Sequence, residues 1–277
     1  MDLDELRARG WPCPTGAEMG RVDAHAIDAC GVPASLLMEA AGRAVAQAVW
    51  RLYPDARRPL VACGGGNNGG DGYVVARLLR ERDAACRPLV LSLGKPERYS
   101  PEARENLELL TRGGAEVLVD PAISELESAA AGCDLLIDAV FGVGLSRPVE
   151  GRLADVLRAL SGSGLPCLSV DLPSGVSSDT GAPLGVALDA GAIVTLGLPK
   201  LGLAQRPSAA EIFVADIGLP VDALAQAGIR QWAMTRAAAA ALLPARPADG
   251  HKGSFGHVLV AGGSEGKTGA AVLAAQG

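Results

Sequence analysis

Aromatic residues are scarce, at 3% of the 277-residue chain. Stacking platforms for single-stranded nucleic acid and aromatic-rich protein interfaces both call for more. Positive charge is not in excess either. Lys and Arg number 25 against 31 Asp and Glu, for a net charge of −6, and no basic stripe stands out, so no nucleic-acid partner is expected. Only three histidines occur (His25, His251 and His257), with no HxxxH or HExxH spacing. The six cysteines, Cys13, Cys30, Cys63, Cys86, Cys133 and Cys167, form no CxxC pair. Zinc-site spacing is therefore absent, and scattered single cysteines suit small, reduced core positions in a cytoplasmic protein. The opening MDLDELRARG has no apolar run, and the most apolar stretch, 186–204, is interrupted by Asp189 and Lys200. Neither a secretory signal nor a membrane span is expected.

Hydrophobic residues make up 49% and charged residues 20%, enough apolar surface to bury a core. The 36 glycines have no collagen period and mark turns and close backbone approaches. Helices come first. Thr15 and Glu18 form a capping-box pattern ahead of Val22, Ala26 and Ile27, with Gly31 at the stop. After Pro33 a helix is expected over 35–51. Short apolar runs then recur at 59–63, 87–93, 115–119, 134–140, 166–170, 191–196 and 212–215. Most are separated by helical stretches such as 72–82, 101–112 and 152–160. Buried strands alternating with helices predict an α/β fold with a doubly wound, mostly parallel sheet, a Rossmann-like three-layer sandwich. Its ligand site belongs at the carboxyl ends of the strands. Residues 1–222 are read as one domain, and 223–277 as a linker plus the first piece of a second α/β domain. Truncation near Leu219 is then expected to be harmless. The tail from His251 reads as strand, glycine loop and helix start.

Three loops fall at strand ends. Gly64 to Gly72, GGGNNGGDG, contains a literal GxGxxG, but the strand ending Leu91-Ser92-Leu93-Gly94 lacks the acidic ribose partner of a dinucleotide turn. Backbone N–H groups there can still hold phosphate, and Asn68 offers an oxygen to a cation. Asp138 precedes Gly142-Val143-Gly144-Leu145-Ser146-Arg147-Pro148. Asp138 can bind a cation or a ligand, and Arg147 can fork onto phosphate; the plain alternatives are a turn-capping Asp and a surface Arg. Asp171 and Ser174 share an abrupt turn with Pro173 and Gly175. Asp171 is a candidate acid/base, with an Asx turn as the plain alternative. Ser174 as a hydrolase nucleophile is disfavoured because no GxSxG elbow exists. Lys200 is read as a solvated lysine in preference to a phosphate ligand. Glu39 faces either a neighbouring loop or water. Ala261 to Thr268 falls one residue short of a P-loop.

Four motifs in order resemble the YjeF N-terminal family, the NAD(P)H-hydrate epimerases. They are Leu36-Leu37-Met38-Glu39-x-x-Gly42, Gly66-Asn67-Asn68-Gly69-Gly70-Asp71-Gly72, Asp138-Ala-x-Phe-Gly with Gly144-Leu145-x-Arg147-Pro148, and Val170-Asp171-x-Pro173-Ser174-Gly175. The likeness runs from Met19 to about Gly218. It implies epimerisation of the R and S forms of hydrated NADH or NADPH. It also implies substrate contacts from Asn67, Asn68, Gly69, Gly70 and Asp71, from Gly142, Val143, Gly144, Leu145, Ser146, Arg147 and Pro148, and from Asp171. A potassium ion held by Asn68, Asp138 and Ser174 and a homodimer follow from the same likeness. Val143 departs from the family, which usually has Thr there. The tail, through His251 to His257 and Thr268 to Ala271, resembles the start of the ribokinase-like ADP-dependent NAD(P)H-hydrate dehydratase, and no dehydratase activity is expected from so short a piece. Two rival readings are a non-catalytic nucleotide-binding or scaffold module and an ordinary nicotinamide dehydrogenase. The intact Asp171 and Asn67-Asn68 disfavour the first, and the missing ribose acid disfavours the second.

Overall fold

The computed structural model describes residues 10–205, 209–243, 249–250, 253 and 256–276. The chain divides into two compact units, Met1–Ala238 and Ala239–Gly277. The first holds two sheets. A short strand, β1 (Trp11–Pro12), precedes helix α1 (Gly16–Ala24), which runs on as a π turn over His25–Ala29, and helix α2 (Ala34–Leu52). The capping box forms as read: Thr15 Oγ1 accepts from Glu18 N at 3.2 Å and Glu18 Oε2 from Thr15 N at 2.8 Å. Gly31 stops the segment at φ +70°, a conformation that glycine adopts without penalty.

Then strands and helices alternate: β2 (Pro59–Cys63), α3 (Asn67–Arg82), β3 (Leu89–Ser92), α4 (Pro101–Arg112), β4 (Glu116–Val119), α5 (Ile123–Ala130), β5 (Leu135–Ala139), α6 (Gly151–Gly162), β6 (Cys167–Val170), β7 (Ala192–Leu196), α7 (Leu201–Gln205) and β8 (Glu211–Ala215). The main sheet has seven strands in the order β4-β3-β2-β5-β6-β7-β8, every neighbouring pair parallel. Each apolar run became a strand. The reason shows in the burial: β2, β5 and β7 are buried at every position, while the edge strand β4 is half exposed. Alternation then sorts the strand side chains onto two faces. Val61 and Cys63 pack with Val45, Val74 and Leu107 from α2, α3 and α4, whereas Leu60 and Ala62 pack with Leu126 and Leu157 from α5 and α6. Helix α5 was not among the helices read from sequence, although Ile123, Leu126 and Ala130 carry its apolar stripe.

The strand order reverses at β2, which lies between β3 and β5. That reversal parts the loops after β2 and β5 and opens a crevice at their carboxyl ends.

Two readings change. The segment after residue 222, expected to be a linker, is part of the first unit. Helix α8 (Val221–Gln226) buries Ala223, and Ala227 just after it is buried too, against Met19, Val22 and Leu37. Beyond it, Cys13 N donates to Gln231 O at 2.9 Å, and β9 (Trp232–Ala233) pairs antiparallel with β1. In the second unit, Gly269–Gln276 is helical as expected. No strand forms among its described residues, and Val258 and Leu259 are 92% and 90% exposed, because a strand needs a neighbour to pair with. His251, Lys252, Ser254 and Phe255, part of the tail motif, lie outside the described residues. No helix among the described residues is long and apolar enough to cross a membrane.

A chain ending at Ala238 should keep its melting temperature within a few degrees. One ending at Leu219 uncovers the α1 core and loses the β1–β9 pair, and should melt roughly 5–10 °C lower, since each kcal/mol is worth about 2–4 °C at this size. Thermal melts of the two truncations check this; equal melting temperatures would return the boundary to residue 222.

Candidate active site

The crevice is a cavity of about 680 Å³, within the range of roughly 300–1,000 Å³ for small-ligand sites. Its first wall is the Gly64–Gly66 turn and the start of α3. The helix begins at Asn67, so residues 67–71, read as loop, form its first turn. No side chain caps it, and the early N–H groups of an uncapped helix are open to an anion. The glycines serve close packing here. A Cβ on Gly69 would land on the Gly64 carbonyl oxygen, and one on Gly65 would come within 2.6 Å of the Tyr99 ring. Tyr99 is held from beneath by a buried hydroxyl chain: Tyr73 Oη lies 2.8 Å from Ser92 Oγ, which lies 3.0 Å from Tyr99 Oη. Ser100 N bonds the Gly65 carbonyl at 2.9 Å, so the turn is held on both sides.

The second wall follows β5. Asp138 is wholly buried and pairs in register with Ala62 on one side and Ser169 on the other. Its Oδ2 accepts from Ser169 Oγ at 2.9 Å and from Ser174 N at 2.8 Å, and its Oδ1 from Ser174 Oγ at 2.5 Å and Val140 N at 3.3 Å. Burial pushes its carboxyl above the usual range, and these hydrogen bonds oppose that shift. Ser174 Oγ in turn accepts from Phe141 N at 2.8 Å, which fixes the start of the glycine loop. Gly142 passes close over Asn68, where a Cβ would lie 3.2 Å from Oδ1. Val143 packs its side chain beside two apolar clusters, one with Met19 and Leu198 and the other with Leu172 and Leu203. A methyl suits that surrounding where Thr would bring a hydroxyl. Arg147 is exposed at the rim, with no ion pair among the described residues.

The third wall is Asp171, directly after β6. It sits at φ +68°, a left-handed conformation uncommon for a non-glycine residue. Its Oδ1 accepts from Thr195 Oγ1 at 3.2 Å, from Leu196 N at 3.1 Å and from Lys200 Nζ. Lys200 also donates to the Leu196 carbonyl at 2.7 Å. The pair is buried, Lys200 1% and Asp171 5% exposed. Lys200 is thus neither the solvated lysine nor the phosphate ligand that the sequence suggested. Among the described residues no donor reaches Asp171 Oδ2, while Asp171 lines the cavity.

Most residues singled out meet here. Asn67, Asn68, Asp71, Gly142, Val143, Gly144, Leu145, Ser146, Arg147 and Asp171 line the cavity. Gly69 and Gly70 are buried behind its wall, Asp138 and Ser174 lie fully buried, and Pro148 falls outside the lining. Glu39 is elsewhere, paired with Arg43 and Arg77. Asp71 is buried, with its carboxyl pushed well above the usual range by burial first and by Asp171 next. Two residues were missed. Thr195 had a signal, a lone hydroxyl in an apolar strand. Asp23 had none beyond its place next to the buried Val22.

The fit to a cation rests on two observations. Asp138 is a wholly buried carboxylate with no ion pair among the described residues. The amide nitrogen of Asn68 is buried without a hydrogen-bond partner. Turning that amide over puts an oxygen where the orphan donor stands, and the oxygens of Asp138 and Ser174 are the hard ligands large monovalent cations take.

Comparison with known proteins gives the family. The family model described as YjeF-related protein N-terminus matches residues 34–202. The chain is 40% identical over 270 residues to the bifunctional NAD(P)H-hydrate repair enzyme Nnr of Moorella thermoacetica, covering 94% of this chain and 51% of that one. It is 38% identical over 205 residues to the NAD(P)H-hydrate epimerase of Limosilactobacillus fermentum, covering 73% of this chain and 95% of that one. Among solved structures, yeast ynu0 superposes with a TM-score of 0.64 at 25% identity, covering 70% of this chain and 84% of that one. The chain spans about half the length of the bifunctional relatives it matches. It belongs to the YjeF N-terminal family.

Removing one partner of a buried pair leaves the other charge uncompensated, so Lys200→Met should destabilise by about 3–5 kcal/mol. Asp171→Asn combined with Lys200→Met should recover most of that loss. Urea denaturation of the singles and the double checks it; additive losses would mean that the two side chains are not coupled.

Proposed function

We propose that this chain interconverts the R and S forms of hydrated NADH and NADPH. One observation carries the reading: at the switch point of the sheet, an open helix N-terminus and a pinned carboxylate face the same cavity. An anionic dinucleotide and a proton-transfer reaction need that combination. The pyrophosphate would lie against the first turn of α3, with Arg147 at the rim as a second anion contact. The hydrated ring would then lie toward Asp171. Its stereocentre bears a hydroxyl beside the ring nitrogen, and inverting it requires breaking and remaking a bond there.

Asp171 is suited to the proton step. Three donors hold Oδ1, so the carboxylate cannot rotate, and Oδ2 stays available to the ligand. General acid–base help of this kind is worth about 10²–10⁴-fold. Asn68, Asp138 and Ser174 would hold a potassium ion. When bound it would supply positive charge beside a buried carboxylate and brace the loops after β5 and β6. The proposal includes a homodimer, as the family likeness implies, working in the cytoplasm, where scattered single cysteines stay reduced.

Asp171→Asn leaves Lys200 without its partner and so lowers stability, but assayed below its melting temperature it should lose R/S interconversion by roughly 10²-fold or more, because the amide keeps the shape without the proton transfer. Chromatographic assay of the two epimers reads this directly. Wild-type-like rates in the variant would remove Asp171 from the reaction, and an inactive but folded wild-type chain would favour the binding-module reading.

Potassium should raise the melting temperature and the turnover relative to a bulky organic cation at equal ionic strength, and Asp138→Asn should abolish the difference. Identical melts and rates in both salts would dispose of the cation.

A further inference from the structure

The cavity holds more carboxyl groups than the reaction has yet used. Asp23, Asp71, Glu102 and Asp171 line it, and of its two cations Arg147 is exposed at the rim, which leaves Asp23, Asp71 and Asp171 to share the one buried ammonium, Lys200. Lys200 is committed to Asp171. Asp71 is 7% exposed, and no hydrogen bond reaches its carboxylate among the described residues. Three carboxylates against one ammonium in a desolvated crevice cannot all stay ionised, so at least one holds a proton. Asp23 is the candidate that can exchange it. It sits on α1, is only partly buried, and lines the same cavity.

Resting on the function proposed above, we infer that Asp23 is a second acid–base group of the site, giving its proton to the hydroxyl that Asp171 faces across the cavity. Written out, the proton moves from the Asp23 carboxyl to the hydroxyl oxygen on the carbon beside the ring nitrogen. The C–O bond breaks, its electron pair leaves with water, and the ring nitrogen's lone pair forms the C=N bond of a cation. Water then adds to the other face, the C–O bond reforms, and the released proton returns to the Asp23 carboxylate. Atoms and charge balance, and no oxidant is needed. Asp171, clamped at Oδ1 by Lys200, takes that proton from the incoming water at Oδ2 and hands it on.

The charged groups that face Asp23 are Lys200 from beyond β7, Asp171 from β6 and Asp71 from α3. On its own helix Arg21 is turned away, bonded to the Ala227 carbonyl at 2.9 Å. Burial pushes the Asp23 carboxyl up to about 6, with Lys200 opposing and Asp171 adding. Its protonated form therefore persists to near pH 6 and is lost as pH rises through that value.

The test is the pH profile of kcat/KM for interconversion in wild type, Asp23→Asn and Asp23→Glu, with ¹³C NMR titration of labelled aspartate carboxyls. The wild-type profile should fall above a midpoint near 6, matching the titration of a resonance that Asp23→Asn removes. In Asp23→Asn the limb should vanish and the rate at pH 6 drop by roughly 10²-fold; in Asp23→Glu the limb should remain at a reduced rate. Thermal melts show that the variants fold. An unchanged limb in folded Asp23→Asn, or a resonance that titrates without affecting the rate, overturns the role of Asp23 alone. A folded wild-type chain that interconverts nothing overturns the functional reading together with it. Were Asp23→Asn unfolded, Asp23→Glu decides: loss of the limb in that folded variant overturns the proposal.

Discussion

Asp138 lies one residue from the end of a central parallel strand with no accessible surface, and its two oxygens take hydrogen bonds from Ser169, from both Ser174 donors and from Val140. Burying an ionised carboxylate is expensive unless donors surround it. Once surrounded, it fixes the donors. Ser169 ties β6 to β5 in register, Ser174 pulls the loop after β6 over the end of β5, and Phe141 hangs from Ser174 at the start of the glycine loop. The position of Asp171 follows, because it lies only three residues before Ser174 in the same turn. The two walls of the cavity that come from β5 and β6 are thus set by one side chain that does not line it. An Asp near the end of a central strand is costly for a sheet, and its reason lies in the loops it organises.

The charge arrangement of the site has the same logic. The start of α3 and the Arg147 rim are electropositive through backbone dipoles and one exposed guanidinium, whereas Asp23, Asp71 and Asp171 line the cavity with the buried ammonium of Lys200. An anionic tail is favoured at one end and a cationic transition state at the other. Separating the two along the cavity lets one pocket favour both without pairing them with each other.

Much of this was legible in the sequence. Every main-sheet strand came from its apolar run, because buried parallel strands need apolar side chains on both faces; the similar run at Val258–Val260 pairs with no neighbour among the described residues and forms no strand. The site loops were legible because polar and glycine-rich segments fell at strand ends, where the architecture puts ligands. The start of α3 was not. Asn and Gly are poor helix formers, and only packing of Gly69 and Gly70 against the Gly64 carbonyl and Met38 makes a helix there possible. Residues 223–233 were misread because alanine and arginine resemble a linker; Ala223 and Ala227 are core through position alone. Lys200 was misread because lysine is almost always exposed. Its burial depends on Asp171 and the Leu196 carbonyl, a constellation formed by two strands and invisible along one segment.

The Asp171–Lys200 pair is better understood as a device for position than for stability. A buried ion pair often loses to apolar residues of the same volume, since both ions give up water. Asp171 adds backbone strain of order 1–3 kcal/mol through its left-handed φ. Each term is unfavourable by itself, and each persists because neighbours over-determine it: Leu196 N and Thr195 hold the carboxylate, while Pro173 and Gly175 force the turn. The strain is what aims the carboxylate. With φ in the ordinary range, the side chain at the end of β6 would continue the strand's alternation and point into a layer of the sandwich, away from the crevice. Left-handed geometry turns it toward the cavity, and Lys200 then clamps one oxygen so that the other is left open to the cavity. A chain selected only for stability would have placed Gly or Asn here. On the proposed function, Asp at φ +68° beside a buried lysine makes this turn the part of the fold where chemistry outranks stability.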